Sequence, residues 1–215
     1  PIVFRTPFGA GIHAPEHHSE STEALFAHIP GLRVVVPSSP ARAYGLLLAS
    51  IRDPDPVIFL EPSRLYRYAK QNVNDDGKAL PLDKCFTLRQ GDDVTLVTWG
   101  AMVKETLAVA DQLAESGLTA EVIDVATIKP LDIDTIFASV EKTGRCVVIH
   151  EAALTCGVGA EIVAQVAEKM LFALKAPPVR VTGFDTIVPY ARLEKYYIPT
   201  EERILTAVHG LMEFA

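Results

Sequence analysis

The sequence predicts an α/β fold built on mostly parallel sheets flanked by helices. Short β-branched runs alternate with longer amphipathic stretches along the chain, which is how helices come to lie between successive strands of one sheet. The runs are apolar throughout rather than alternating, as in Val34-Val35-Val36 and Val147-Val148-Ile149, so both of their faces need cover. Hydrophobic residues make up 49% of the 215 and charged residues 22%, enough core for one and a half to two domains.

Taken in order, the strands are expected at residues 2–5, 33–36, 57–61, 94–99, 121–125, 146–150 and 179–182, and the helices at 21–28, 40–52, 103–116, 133–142, 159–174 and 201–213. Ser39 ahead of Pro40 is a cap followed by proline in the first helical position. Gly117 closes the helix that begins at 103. Residues 68–80 are polar and aperiodic, the composition of a linker. They divide the chain into 1–67, read as an incomplete domain, and 81–215, read as a complete one. The chain opens on Pro1 and runs at once into Ile2-Val3-Phe4. An apolar strand at the first residue reads as a cut through a larger domain, because chain ends are usually loose and polar.

The net charge of −7 leaves no basic footprint for nucleic acid. Cys85, Cys146 and Cys156 are scattered, which favours a reducing compartment over a disulfide framework or a zinc site. No apolar run approaches the roughly 20 residues that span a bilayer. These features predict a soluble intracellular protein, cytoplasmic if bacterial and in the mitochondrial matrix if eukaryotic.

Three clusters could carry chemistry. Residues 9–21, Gly-Ala-Gly-Ile-His-Ala-Pro-Glu-His-His-Ser-Glu-Ser, fall between a strand and a helix, where parallel sheets place their sites. A histidine there titrates near neutrality and can move a proton. On composition alone, a polar loop with surface histidines is the stronger reading. A metal site at His13, Glu16 and His17 ranks lowest, since the spacing matches no recognised ligand pattern. The second cluster, residues 50–56, ends a helix in Asp53-Pro54-Asp55-Pro56. Its oxygens suit a hard cation, although an ordinary Asx-Pro turn explains the spacing as well. The third, residues 150–161, runs from a strand end through Gly157 and Gly159 into a helix. It lacks a Walker lysine and a dinucleotide spacing, so a packing corner is the simpler reading.

Longer strings carry a resemblance over essentially the whole chain. Phe26-Ala27-His28-Ile29-Pro30-Gly31-Leu32-Arg33-Val34-Val35-Val36-Pro37-Ser38, Phe59-Leu60-Glu61-Pro62-Ser63-Arg64-Leu65-Tyr66-Arg67, Lys142-Thr143-Gly144-Arg145 and Tyr197-Ile198-Pro199 resemble beta subunits of thiamine-diphosphate-dependent 2-oxo acid dehydrogenases. Glu61-Pro62 with His150-Glu151-Ala152 is more similar to the branched-chain enzyme than to the pyruvate one. The alternatives are a pyruvate or acetoin dehydrogenase beta subunit, or chiefly a subunit-assembly module that binds the acyltransferase core.

The resemblance implies a transketolase-like architecture, with part of a pyrimidine-binding domain followed by a transketolase C-terminal domain. It implies an alpha subunit carrying thiamine diphosphate and magnesium, a second beta subunit to complete an α2β2 tetramer, and a dihydrolipoyl acyltransferase core with its lipoyl domain. His18-Ser19-Glu20 matches the family's His-Ser-Gln string, so His18, with His17 as second choice, would assist oxidative decarboxylation and acyl transfer to lipoyl. A structural potassium ion would draw on Ile2, Val3, Ser50, Asp53 and Asp55, mostly through main-chain oxygens. The family's catalytic glutamate lies upstream of Pro1, so the isolated segment is expected not to turn over.

Overall fold

A computed structural model describes residues 1–15, 18–68 and 70–214. In chain order the elements are β1 (Val3–Phe8), α1 (Glu23–Ala27), β2 (Arg33–Val35), α2 (Pro40–Arg52), β3 (Val57–Pro62), α3 (Leu65–Tyr68), β4 (Phe86–Arg89), β5 (Val94–Thr98), α4 (Val103–Glu115), β6 (Ala120–Asp124), β7 (Thr127–Lys129), α5 (Ile133–Thr143), β8 (Cys146–Ile149), α6 (Val158–Lys169), β9 (Val179–Val181), α7 (Ala191–Tyr197) and α8 (Glu201–Met212). They build one sheet in the order β1-β3-β2-β7 and another in the order β4-β6-β5-β8-β9. Each is parallel except for one antiparallel edge, β7 on β2 and β4 on β6. The α/β class with mostly parallel sheets is as expected.

Local signals explain where the helices stop and start. Ser39 Oγ accepts the Arg42 N–H at 3.3 Å and caps α2, whose first residue is Pro40. Asp132 caps α5 by accepting the Thr135 N–H, and Gly144 ends that helix in the left-handed region at φ 73°. Thr200 caps α8 through the Arg203 N–H. Residues 70–85 hold no helix or strand.

β5, β6 and β8 are buried along their whole length; β8 is apolar throughout, whereas β5 and β6 also bury Thr95, Thr98, Glu121 and Asp124. β1 departs from the expectation of a buried strand. It pairs with β3, and Ile2 and Phe4 are 51% and 54% exposed. Its apolar residues lie at a sheet edge, where a run of sequence looks the same as in a sheet centre.

The two sheets share a core. One cluster joins Phe8, Val34, Ile58 and Leu60 of the first sheet to Val97, Trp99, Ile123 and Val148 of the second. β7 strengthens the join, because it follows β6 in sequence yet pairs with β2, Val34 opposite Lys129. The crossing turns on Ala126 at φ 54°, whose carbonyl accepts the Val36 N–H at 2.8 Å. This contact brings the C-terminal ends of β2 and β6 together and sets the stage for the loop above them.

Candidate functional site

Residues 9–21 leave the C-terminal end of β1, the position at which parallel sheets place ligand sites. The loop is closed at its neck by the Gly9 N–H donating to the Glu20 carbonyl at 3.1 Å. Inside it, buried Ser19 donates to the Ala14 carbonyl at 2.8 Å.

Two carboxylates from far along the chain anchor this loop. Glu151, just past β8, accepts the Ala10 N–H at 3.0 Å. Glu194, on α7, accepts the N–H groups of Gly11 and His13 at 2.7 and 3.1 Å, and its Oε2 lies 2.5 Å from His13 Nδ1. Three consecutive odd-numbered residues, Gly9, Gly11 and His13, have φ values of 81°, 98° and 62°. At Gly11 a Cβ would lie 2.5 Å from Arg64 Cδ, and at Gly9 a Cβ would lie 2.5 Å from Glu151 Oε2. The glycines are therefore required both by backbone conformation and by close packing.

Arg64 completes the anchor. Its guanidinium donates to Glu151 at 2.9 Å and to Glu105 at 2.6 Å. Glu151 is fully buried, and desolvation holds its carboxyl above the usual range against the pull of Arg64 and the Ala10 N–H. Mounting a loop on buried charges in this way fixes its geometry, since each charge stays paired only if the loop stays in place.

Behind the loop lies a second buried group. Glu23, the first residue of α1, accepts the Trp99 indole N–H at 3.3 Å. Burial pushes its carboxyl up to about 7. Trp99 stacks on His150 with centroids 5.1 Å apart and planes 14° from parallel. Burial, with the Arg180 charge, pushes His150 down to about 4, so the imidazole is neutral.

Of the residues singled out in the sequence, His18 lies on the loop and is exposed. His17 and Glu16 fall outside the described residues. His13 is turned onto Glu194 and serves the anchor. At the expected potassium corner the side chains are paired within the chain. Asp53 accepts from Arg33 Nε at 3.0 Å and from the Asp55 N–H at 2.9 Å, and Asp55 lies 3.4 Å from Arg33 Nη2. Ser50 donates its hydroxyl to the Leu46 carbonyl at 2.7 Å, and the Ile2 carbonyl accepts from Val57. A cation there would have to rely on main-chain oxygens, Val3 included. Among the described residues no group of three or more His, Cys, Asp or Glu could hold a metal ion, and no helix is long and apolar enough to cross a membrane.

Sequence reasoning missed Glu151 and Glu194 as loop anchors and Glu23 as a buried acid. The paired glycines at 9 and 11 were the available signal, because they mark a backbone closely approached by something else. A separate cleft of about 540 Å³ lies between α1, β7 and the start of α6, lined in part by His28, Lys129, Cys156 and Glu161. Among the described residues, none of the loop lines it. Cys85 and Cys146 are buried and their thiols are pushed up in pKa, which makes them poor nucleophiles.

Comparison with known proteins agrees with this architecture. Residues 1–69 match the model of the transketolase pyrimidine-binding domain, and residues 83–204 match that of the transketolase C-terminal domain. The chain is 44% identical over 214 residues to the pyruvate dehydrogenase E1 component subunit beta of Bacillus subtilis (strain 168), covering 100% of this chain and 66% of that protein. It is 48% identical over 211 residues to the protein of the same name in Acholeplasma laidlawii, covering 98% and 64%. It thus spans just under two thirds of these relatives. Both relatives carry the pyruvate name, and neither is named for a branched-chain substrate. A split-gene transketolase in an inactive beta4 tetramer superposes with a TM-score of 0.79 over 99% of this chain and 66% of that one, at 24% identity, a likeness of fold alone.

Proposed function

Since this chain belongs to the transketolase family, through both its pyrimidine-binding and its C-terminal domain, we propose that it forms the larger part of a beta subunit of a thiamine-diphosphate-dependent 2-oxo acid dehydrogenase that acts on pyruvate. The pyruvate assignment follows the names of its relatives. The observation that carries the reading is the loop of residues 9–21, held at a strand end by Glu151 and Glu194 with His18 exposed on it.

Thiamine diphosphate, when bound, supplies the electron sink for decarboxylation. The residues of this chain fit a supporting role toward it. Glu151, Glu194 and Arg64 orient the loop, and the neck between Gly9 and Glu20 restrains its opening. His18 would stand at the rim to donate or accept a proton as the acyl group passes to lipoyl. The diphosphate, the magnesium and the catalytic carboxylate would come from an alpha subunit and from the remainder of the beta subunit. Phe184, Ile187, Tyr190, Leu193 and Tyr196 are exposed, and an apolar surface of this kind suits subunit contact. It favours an α2β2 assembly and, as a second reading, a part in docking an acyltransferase core.

The test is to reconstitute the full-length beta subunit with its alpha subunit and follow lipoyl acylation with pyruvate and with branched 2-oxo acids. Preference for pyruvate by at least about tenfold in kcat/KM supports the assignment. Preference for a branched substrate returns it to the branched-chain enzyme, and acylation with neither overturns it.

A further inference from the structure

Glu23 has no part in the chemistry described so far, yet its surroundings are specialised. It follows His18 by five residues and opens α1, and its side chain has no exposed surface. One carboxyl oxygen accepts the Trp99 indole N–H, and the other has no hydrogen-bond partner among the described residues. The indole belongs to the second sheet, at the end of β5. It is stacked on His150, itself fully buried, with neither ring nitrogen in a full hydrogen bond among the described residues and the Ala152 backbone offering it weak polar support. Gly157 and Gly159 close over that imidazole, where a Cβ would come within 2.9 and 2.6 Å of its ring atoms. A continuous stack therefore runs from the base of the loop through Trp99 and His150 to the start of α6.

Among the described residues no cation offsets a charge on Glu23. From the end of β8, Glu151 opposes its ionisation, and the charge of Arg64 is spent on Glu151 and Glu105. From α7, Tyr197 is held protonated, pushed up to about 12 by burial and by Glu151, Glu23 and Asp185. The neutral His150 gives no compensating charge. An ionised carboxylate here would have its own backbone N–H and one indole N–H for support, which burial outweighs, whereas the carboxylic acid is much less costly to bury.

We propose that Glu23 is a positioning residue which, as a neutral carboxylic acid, fastens the base of the 9–21 loop to the second sheet through Trp99 and His150, and which loosens that attachment when it ionises. The device makes presentation of His18 depend on proton concentration in the neutral range. This rests on the reading of His18 given above, and the experiment is arranged so that the two stand or fall separately.

Trp99 is the one tryptophan of the 215 residues, and its indole touches the group in question. In the reconstituted full-length enzyme, its emission is isolated as the difference from Trp99→Phe and titrated from about pH 5.5 to about pH 8.5. Lipoyl acylation is measured over the same range. The expected result is a single emission step centred near neutrality, absent in Glu23→Gln. Acylation should fall about tenfold from pH 6 to pH 8 in the wild type, the change in neutral fraction for a group titrating near 7, and this alkaline limb should be lost in Glu23→Gln. His150 titrates too low to produce the step. A step that persists in Glu23→Gln, or none in the wild type, overturns the proposal. The fluorescence result decides the role of Glu23 even if His18→Ala acylates normally, an outcome that would remove only the reading of His18.

Discussion

Glu194 and Gly11 are 183 positions apart, and the carboxylate of one accepts the backbone N–H of the other at 2.7 Å. The same carboxylate accepts the His13 N–H at 3.1 Å while its side chain is only 1% exposed. Replacing it by alanine strands two half-buried donors. Glu194→Ala is expected to destabilise the chain by about 3 kcal/mol, and Glu194→Gln by less, since the amide oxygen still accepts one N–H. Urea unfolding of the two variants checks the order.

Arg64→Met is expected to be more damaging than its exposure suggests, because it leaves the Glu151 carboxylate buried without its cation. The cost should be roughly 3–5 kcal/mol. Adding Glu151→Gln to the same chain should recover more than half of it, since the uncompensated charge is removed. A double-mutant cycle in urea measures the coupling, and strictly additive losses would contradict the proposed pairing.

Two glycines separate backbone strain from packing. Gly31 has φ 83° and open space where a Cβ would go, and Gly11 has φ 98° with Arg64 Cδ 2.5 Å from that point. Gly31→Ala is expected to cost about 1 kcal/mol from conformation alone. Gly11→Ala should cost at least ~1 kcal/mol more and should also disturb the Arg64–Glu151 pair. Thermal unfolding of both, against the wild type, tests the difference.

Asp124 gives a pH dependence with a definite sign. It is buried, accepts from Ser38 at 2.5 Å, and burial pushes it up to about 6 from 3.8. Because the folded value is above the unfolded one, its contribution is complete below the unfolded value and is lost as pH rises through about 6. Asp124→Asn should therefore flatten the stability curve between about pH 4 and pH 6 by roughly 2–3 kcal/mol. Stability measured by urea at closely spaced pH values reads this directly, and an unchanged slope in Asp124→Asn would assign the dependence to another group.

Much of the scaffold was legible because its signals are local. Ser39-Pro40 marks the start of α2, and unbroken apolar runs mark most of β3 and all of β8. The short or edge elements β4, β7, α3 and α7 were missed. Three residues before a proline carry no readable period in β7, and its pairing with β2 is a long-range event. The exposure of β1 was misread for the same reason, since apolar composition does not tell an edge from a centre. At the site, the loop and its histidines stood out as a break in pattern. The anchors did not, because Glu151 and Glu194 become neighbours of Ala10 and Gly11 only when the second sheet docks on the first.

The central claim is that residues 9–21 present His18 to the acyl group on its way to lipoyl. The direct measurement is the rate of lipoyl acylation by the reconstituted full-length enzyme carrying His18→Ala, with assembly checked by sedimentation. The expected result is a loss of about 100-fold or more in that rate in an intact assembly. An intact His18→Ala enzyme that acylates lipoyl at the wild-type rate would contradict it.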